Sequence, residues 1–311
     1  MPLHALTEIT LGVPNVNEIV DFYTTFGLTP LGSSAGQDDQ WFATVDGGRQ
    51  LRVVEAPIRR LVTMTVGADD PDDLRRVAAS LERIGAPARV DGGELITREP
   101  VSGLEVRIAV ADRITVSSTP VPAYNAPGSL ARSNVRASAL LRPDPVRPRR
   151  LGHVALGSSD ILATQQFFAE GLGFKISDEV RERAAFMRCS TDHHNVMLQA
   201  APVAFLHHTS WEVDDVDEIG RGAQAVLEDH PERHTFGLGR HWIGSNFFYY
   251  LRDPAGNLSE YYSDMDAIVD DQLWQPGVIE PGSIPANAWG PPLPPSMIRP
   301  DDLAELMAGL H

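Results

Sequence analysis

Apolar residues recur along the chain in a pattern that predicts strands, each followed by a helix. Segments 6–12 (LTEITLG) and 151–157 (LGHVALG) both read as strands, and they stand 145 residues apart. Each is followed by a polar residue suited to begin a helix, Asn15 or Asp160, and then by a helix-like stretch with an aromatic pair. The two halves of the chain therefore look like copies of one unit.

The offset of 145 residues recurs between segments 61–65 (LVTMT) and 206–210 (LHHTS), each of which leads into acidic residues and a helical stretch. A fainter repeat inside each half gives starting points near residues 6, 60, 151 and 205. We therefore predict an α+β fold made of four βαβββ modules, paired into two domains.

Proline-rich stretches separate these units. The pattern predicts an N-terminal domain of two modules at 1–110, a Pro-rich connector at 111–149, a C-terminal domain of two modules at 150–265 and a Pro-rich tail at 266–311. Proline restricts the backbone and lacks a donor for sheet pairing, so these stretches suit surface segments.

Composition limits the classes of binding partner and the cellular compartment that the chain is expected to have. Hydrophobic residues make up 42% of the chain, enough for a sizeable core, and the formal net charge of −16 argues against a nucleic-acid partner. No apolar run is long enough to span a membrane, and the N-terminus carries no signal-peptide pattern. The single cysteine, Cys189, cannot form an internal disulfide, which fits a cytoplasmic location.

Histidines concentrate in the second half, where eight of the ten lie between His153 and His241. A single histidine in an apolar strand is more often a core residue than a ligand, so the case depends on their combination. His153 and His208 stand at matching positions of the third and fourth modules, and Glu260 lies in a strand that can return beside them. Two imidazoles and one carboxylate form a facial triad that suits Fe(II) and leaves three coordination positions open.

The first half lacks such a set. Its matching positions are Glu8, Thr63 and about Val106, only one of which binds a metal well. We therefore expect a metal site in the C-terminal domain and none in the N-terminal domain.

The segment 239–260 resembles the signature of the type I extradiol dioxygenases of the vicinal oxygen chelate superfamily. In that signature a His is followed nine residues later by a Tyr and ten residues further by the metal-binding Glu, and His241, Tyr250 and Glu260 keep this spacing. His194 stands 14 residues before His208, as in the family, and the strand 151–156 is similar to the first metal strand. The resemblance covers both halves of the chain.

The resemblance implies an enzyme that opens the ring of a catechol with O2, in the breakdown of aromatic compounds. The implied metal is Fe(II), with Mn(II) as the alternative, and its ligands are His153, His208 and Glu260. The family's catalytic roles fall on three further residues. His194 would assist substrate deprotonation and donate a proton as the O–O bond breaks, and His241 and Tyr250 would hydrogen-bond the bound substrate oxygen.

Four residues near these positions are candidates for a substrate pocket, with core packing as an equal alternative: Ala155, Trp242, Ile243 and Phe247. Trp211 is a similar case. An apolar pocket would favour a catechol with an alkyl or aryl substituent.

Two other functions are compatible with the same fold. One is a glyoxalase-like, metal-dependent isomerase, and the other is a non-catalytic protein that binds small molecules. The isomerase gives no role to His194, His241 and Tyr250, and the length of 311 residues with an intact set of metal ligands argues against the binding protein. Both points favour the dioxygenase. A homo-oligomer is the default expectation for the assembly.

Overall fold

Two mixed β-sheets form the framework of the chain in a computed structural model that describes residues 3–33 and 39–309. In these ranges the first sheet has eight strands and the second has ten. The strands of the first sheet are β1 (Leu3–Val13), β2 (Thr29–Gly32), β3 (Asp39–Thr44), β4 (Gly48–Glu55), β5 (Arg60–Ala68), β6 (Arg89–Asp91), β7 (Glu94–Arg98) and β8 (Glu105–Val110).

The second sheet follows the connector. Its strands are β9 (Arg150–Ser158), β10 (Lys175–Val180), β11 (Ala184–Arg188), β12 (Val196–Ala200), β13 (Phe205–Glu212), β14 (His234–His241), β15 (Phe247–Arg252), β16 (Leu258–Ser263), β17 (Gly277–Ile279) and β18 (Asn287–Trp289). The α-helices are α1 (Val16–Thr25), α2 (Pro71–Arg83), α3 (Ile161–Gln166), α4 (Val216–Leu227) and α5 (Leu303–Ala308).

The predicted α+β fold of four βαβββ modules is confirmed. In every module the first and last strands pair in parallel, as β1–β4, β5–β8, β9–β12 and β13–β16. The first strands of paired modules meet in antiparallel fashion, β1 with β5 and β9 with β13. The modules begin at residues 3, 60, 150 and 205, within a few residues of the predicted starts.

Acidic side chains start three of the helices. Asp70, Asp160 and Asp215 each accept a hydrogen bond from a backbone N–H in the first turn of the following helix, which satisfies a donor that the helix itself leaves unpaired. Asn15 stands at the predicted position before α1, but it makes no capping bond. Its amide donates instead to the Glu18 carboxylate.

The two halves share one hydrophobic core. The Phe26 and Tyr261 rings stack with centroids 3.9 Å apart, and the Tyr261 hydroxyl donates to the Phe26 carbonyl at 2.6 Å. Trp211 is fully buried in this core with its ring edge against Tyr23. Trp211 is therefore a core residue and does not line the cavity described below.

The tail adds strands to the second sheet. β17 pairs with β10 at one edge, and β18 pairs with β14 at the other edge. The connector 111–149 runs outside both sheets and is tied to α4 by the Arg142–Asp215 ion pair at 2.5 Å.

The proposed domain boundaries stay a prediction. No helix in the described ranges is long and apolar enough to cross a membrane.

A buried arginine fastens the tail to both halves. Arg59, just before β5, donates to the two carboxylate oxygens of Asp302 at 2.6 and 2.8 Å and to the Leu206 carbonyl at 3.0 Å. Because Arg59 is 5% exposed, its charge depends on these partners for the hydrogen bonds that water would otherwise give. The tail is thereby anchored next to β13.

We expect Arg59→Met to loosen the tail. Asp302 would lose its cationic partner and the Leu206 carbonyl its donor, which should cost roughly 3 kcal/mol of unfolding free energy. Urea unfolding would measure this loss, and limited proteolysis should cut the tail faster. Arg60→Met, at the exposed neighbouring position, is the matched control. Equal stability and equal cleavage in the two variants would show that the anchor is not needed.

Candidate metal centre and substrate cavity

The strand register brings three metal-binding side chains to one face of the second sheet. Ser210 on β13 lies opposite His153 on β9 and opposite Glu260 on β16. Residues directly opposed across strands project to the same face, and positions 208 and 210 of one strand do so too. His153, His208 and Glu260 therefore share a face at the centre of the sheet.

Their donor atoms converge on a single point. The Nε2 atoms of His153 and His208 are 3.1 Å apart, and they lie 3.1 and 3.5 Å from Oε2 of Glu260. Neighbouring ligands of a six-coordinate ion with bonds of about 2.1 Å are separated by about 3 Å. The triangle thus has the dimensions of one face of an octahedral metal site.

The protonation states also fit a metal. Burial acts to raise the pKa of Glu260, but contacts with His153 and His241, together with the electrostatic effect of His153 and His208, outweigh it and hold that pKa well below its usual range. Burial, followed by the nearby His207, lowers the pKa of His208 well below its ordinary value. Metals bind ionised carboxylates and neutral imidazoles. Glu260 Oε2 is buried, and the polar atoms facing it are Nε2 of His153 and Nε2 of His208, the other two donors of the triangle.

The first His-His pair orients a metal ligand. His207 Nε2 lies 2.6 Å from the Met297 carbonyl, which can only accept, so this nitrogen carries a proton and donates it. Neutral His207 then has an unprotonated Nδ1, which lies 2.7 Å from Nδ1 of His208 and accepts a hydrogen bond from it. That bond leaves the lone pair of His208 on Nε2, the atom that points into the metal triangle.

We expect His207→Phe to weaken metal binding. The ring would be kept in place, but His208 would lose the acceptor that sets its tautomer. Loss of such a partner typically costs about 10–100-fold in metal affinity. Competition against a chromophoric chelator measures the affinity directly, with His230→Phe at an exposed site as the control. Unchanged affinity in His207→Phe would show that the Met297 carbonyl plays no part in orienting the ligand.

The second His-His pair lies in the turn before β12. Asn195 holds this turn: its side-chain oxygen accepts from the backbone N–H groups of Cys189 and Ser190, and its amide donates to the Gly152 carbonyl at 3.1 Å. The His194 ring is thereby brought to 4.3 Å from the His153 ring, measured between centroids. Burial, followed by the neighbouring His153 and His193 rings, lowers the pKa of His194 well below its ordinary value.

Tyr250 and His241 complete the polar side of the site. Tyr250 lies directly opposite Glu260 in the β15–β16 pair, and its hydroxyl is 3.0 Å from Nε2 of His241. That nitrogen is in turn 3.7 Å from Oε1 of Glu260. Burial, followed by the Glu260 charge, raises the pKa of Tyr250 well above its usual range, so its hydroxyl stays protonated. The structure therefore brings all six predicted metal and catalytic residues together.

These residues form the polar floor of a cavity of about 290 Å³. Of the predicted pocket residues, Ile243 lines it. Ala155 is fully buried within β9, and Trp242 is 49% exposed. Phe247 packs against Trp289 and under the Arg240 guanidinium. These three lie outside the cavity lining.

Sequence reasoning missed most of the cavity wall. Much of it comes from the tail, through Ile279, Ile284, Pro285, Leu293 and Met297, with Ile298 beside them. The rest of the apolar lining includes Val180, Phe186 and Met197. The sequence shows these residues only as apolar positions between the prolines of the tail. Their spacing has no helical or strand period that would predict which of them line a cavity.

In the first sheet, the positions that match the donor triangle carry a different set of side chains. There Thr65 occupies the place of Ser210, with Glu8 opposite it on one side and Arg107 on the other. The counterpart of Glu260 is thus Arg107 and not Val106, which is fully buried on the other face of β8. A guanidinium in place of the carboxylate would repel a cation.

Comparisons with known proteins agree with this architecture. Residues 150–261 match the family model of the Glyoxalase/Bleomycin resistance protein/Dioxygenase superfamily. Metapyrocatechase 2 of Cupriavidus necator is 28% identical over 305 residues, covering 96% of this chain and 92% of its own length. The 3-methylcatechol 2,3-dioxygenase of Pseudomonas putida is 25% identical and covers 77% of this chain and 84% of its own.

Solved structures share the fold across nearly the whole chain. A halotolerant catechol dioxygenase superposes with a TM-score of 0.75 at 18% identity, covering 95% of this chain and 98% of that one. The Mn(II)-bound glyoxalase of Novosphingobium aromaticivorans superposes with a TM-score of 0.73 at 24% identity, covering 96% and 94%. The superfamily match of residues 150–261 and the curated relatives confirm the resemblance drawn from the sequence, and one of these relatives is named as a 3-methylcatechol 2,3-dioxygenase.

Proposed function

We propose that the chain is an extradiol dioxygenase that opens the ring of a catechol with O2 at a mononuclear Fe(II) centre. One observation carries the proposal: the donor triangle of His153, His208 and Glu260 lies at the floor of a cavity that also receives His194 and Tyr250. Relatives that act on catechols support the general reaction.

The metal would be held by His153, His208 and Glu260. When bound there, it supplies a binding site for both catechol oxygens and for O2 and conducts electrons between them. The three donors carry one negative charge in total, which leaves the centre able to accept a catecholate. The same donors would also hold Mn(II), and one relative is named as manganese-dependent. We favour Fe(II) because another relative is named as iron-dependent.

The chain's own residues would manage protons around the substrate. His194 is neutral at pH 7 because its pKa is lowered, so it can accept a proton from a catechol hydroxyl and return it later in the cycle. The Tyr250 hydroxyl, which stays protonated, would donate a hydrogen bond to the negatively charged substrate oxygen, with His241 beside it. This trio has no evident task in a glyoxalase-type isomerisation, although a glyoxalase shares the fold.

The cavity favours an uncharged substrate with an apolar substituent. Its walls are mainly aliphatic and aromatic, and no Lys or Arg stands among the described lining residues. Glu280 belongs to the lining and pairs with Arg181 at 2.8 Å, so it offers no attraction to a carboxylate on the substrate. An alkyl- or aryl-substituted catechol fits this environment. A cytoplasmic location and a homo-oligomeric state stay predictions.

We expect a panel of catechols to reveal the reaction. After anaerobic loading with Fe(II) and admission of air, O2 uptake and a yellow ring-opened product should appear with 3-alkyl or 3-aryl catechols. Carboxylated catechols should react at least about 10-fold less efficiently, because transferring a charge to an apolar wall without a partner is unfavourable. His208→Ala should abolish uptake by removing a metal ligand.

Two results would contradict the proposal. Absence of O2 uptake with every catechol, despite one Fe(II) bound per chain, would exclude the dioxygenase. Conversion of a thiol adduct of an α-ketoaldehyde under the same conditions would instead support the glyoxalase-type isomerase.

We expect Tyr250→Phe to lower kcat by about 10²-fold with little change in KM, since the hydroxyl is placed to interact with charge that develops during reaction. Tyr249→Phe is the matched control, because the neighbouring residue faces the other side of β15 and hydrogen-bonds His234. Steady-state O2 uptake measures both constants. Equal kcat values in the two variants would remove Tyr250 from the mechanism.

A further inference from the structure

A buried chain of hydrogen bonds runs from His194 away from the cavity. Nδ1 of His194 lies 3.1 Å from Nδ1 of His193, and Nε2 of His193 lies 3.0 Å from Oδ2 of Asp178. His193 is fully buried and the Asp178 side chain is 14% exposed. Neither residue belongs to the six metal and catalytic candidates.

We propose that Asp178 and His193 are positioning residues that set the tautomer of His194. The inference rests on the proposed function, because it assigns to His194 the task of accepting a substrate proton. The direction of each hydrogen bond follows from Asp178, the acceptor at the outer end of this series of hydrogen bonds.

Asp178 is built as an acceptor. Its Oδ1 accepts from the backbone N–H of Gly277 at 2.6 Å, and its Oδ2 faces His193. A carboxylate has no proton to donate, so Nε2 of His193 must be the donor. Neutral His193 then accepts at Nδ1, which requires the proton of His194 to be on Nδ1. His194 is left with the lone pair on Nε2, the nitrogen that this chain does not engage.

Packing against aromatic side chains holds the His193 and His194 rings in place. The Trp274 ring meets His193 edge to face with centroids 5.4 Å apart, and its Nε1 donates to the Ser177 carbonyl at 2.9 Å. Phe186 packs edge to face against His194 at 5.2 Å. Gly277 allows the close approach to Asp178, because a Cβ atom there would lie 2.9 Å from Oδ1.

Asp178→Asn should reverse the direction of both hydrogen bonds, although the Asn and Asp side chains have almost the same shape. The Gly277 N–H still requires an acceptor, so the amide oxygen of the new side chain would face Gly277 and its NH₂ group would face His193. His193 would then accept at Nε2 and donate at Nδ1. His194 would in turn accept at Nδ1 and carry its proton on Nε2, where it could no longer take one from the substrate.

We expect kcat of Asp178→Asn to fall by about 10²–10⁴-fold with KM changed less than about threefold, as when an acid–base histidine is held in the wrong tautomer. Asp271→Asn is the matched control. Asp271 lies in the tail and pairs with Lys175 of β10 and Arg188 of β11, outside these hydrogen bonds. Its kcat should match that of the unmodified chain.

A readout independent of turnover separates this inference from the proposed function. Two-bond ¹H–¹⁵N correlation spectra of the full, metal-free chain report which imidazole nitrogen of His194 carries the proton. We expect Nδ1 to be protonated in the unmodified chain and in Asp271→Asn, and Nε2 in Asp178→Asn. Thermal unfolding should give similar Tm values for the three proteins.

The outcomes are distinct. An Nδ1 proton on His194 in both the unmodified chain and Asp178→Asn, or an unchanged kcat in that variant, would overturn the role of Asp178 and His193. The expected tautomers in a chain that consumes no O2 with any catechol would refute the proposed dioxygenase function while leaving the tautomer assignment in place.

Discussion

The whole site depends on one ionised carboxylate that water cannot reach. Glu260 has no exposed surface, and burial alone would favour its neutral form. The imidazoles around it outweigh that effect, and two of them, His153 and His208, approach the same carboxylate oxygen. A charge in this state is stable only where cations or strong donors converge on it. The central strands β9, β13 and β16 provide that convergence, and the rest of the sheet holds them in register.

Two His-His pairs each set the tautomer of the imidazole that faces the site, and they do so with different acceptors. In each pair one imidazole faces the site and the other faces a group that can only accept a proton: the Met297 carbonyl behind His207 and the Asp178 carboxylate behind His193. The outer ring passes this constraint to the inner ring, so that its lone pair points toward the site. Both terminal contacts depend on the tail, because Met297 belongs to it and Gly277 holds Asp178.

Sequence reasoning reached the fold and the six polar site residues because these have strong signatures. The 145-residue offset exposes the repeat, and the spacing of His241, Tyr250 and Glu260 matches a known pattern. Register was harder to obtain from sequence. The first-half counterpart of Glu260 is Arg107 and not Val106, because the 145-residue offset that relates Thr65 to Ser210 does not hold between β8 and β16. The cavity wall was beyond prediction, since tail residues such as Ile284 reach it through pairings between segments far apart in the chain.

The tail also orders events during synthesis. Glu260, the last of the three metal donors, is translated before any residue of β17, β18 or Met297. Since chains fold from the N-terminus as they emerge, the two sheets can form while the site still opens to water on one side. His208 gains its final orientation, and the cavity its apolar wall, only when the last segment docks through Arg59. A nascent or truncated chain would thus contain His153, His208 and Glu260 yet leave an ion between them open to solvent, and the completed polypeptide would enclose it.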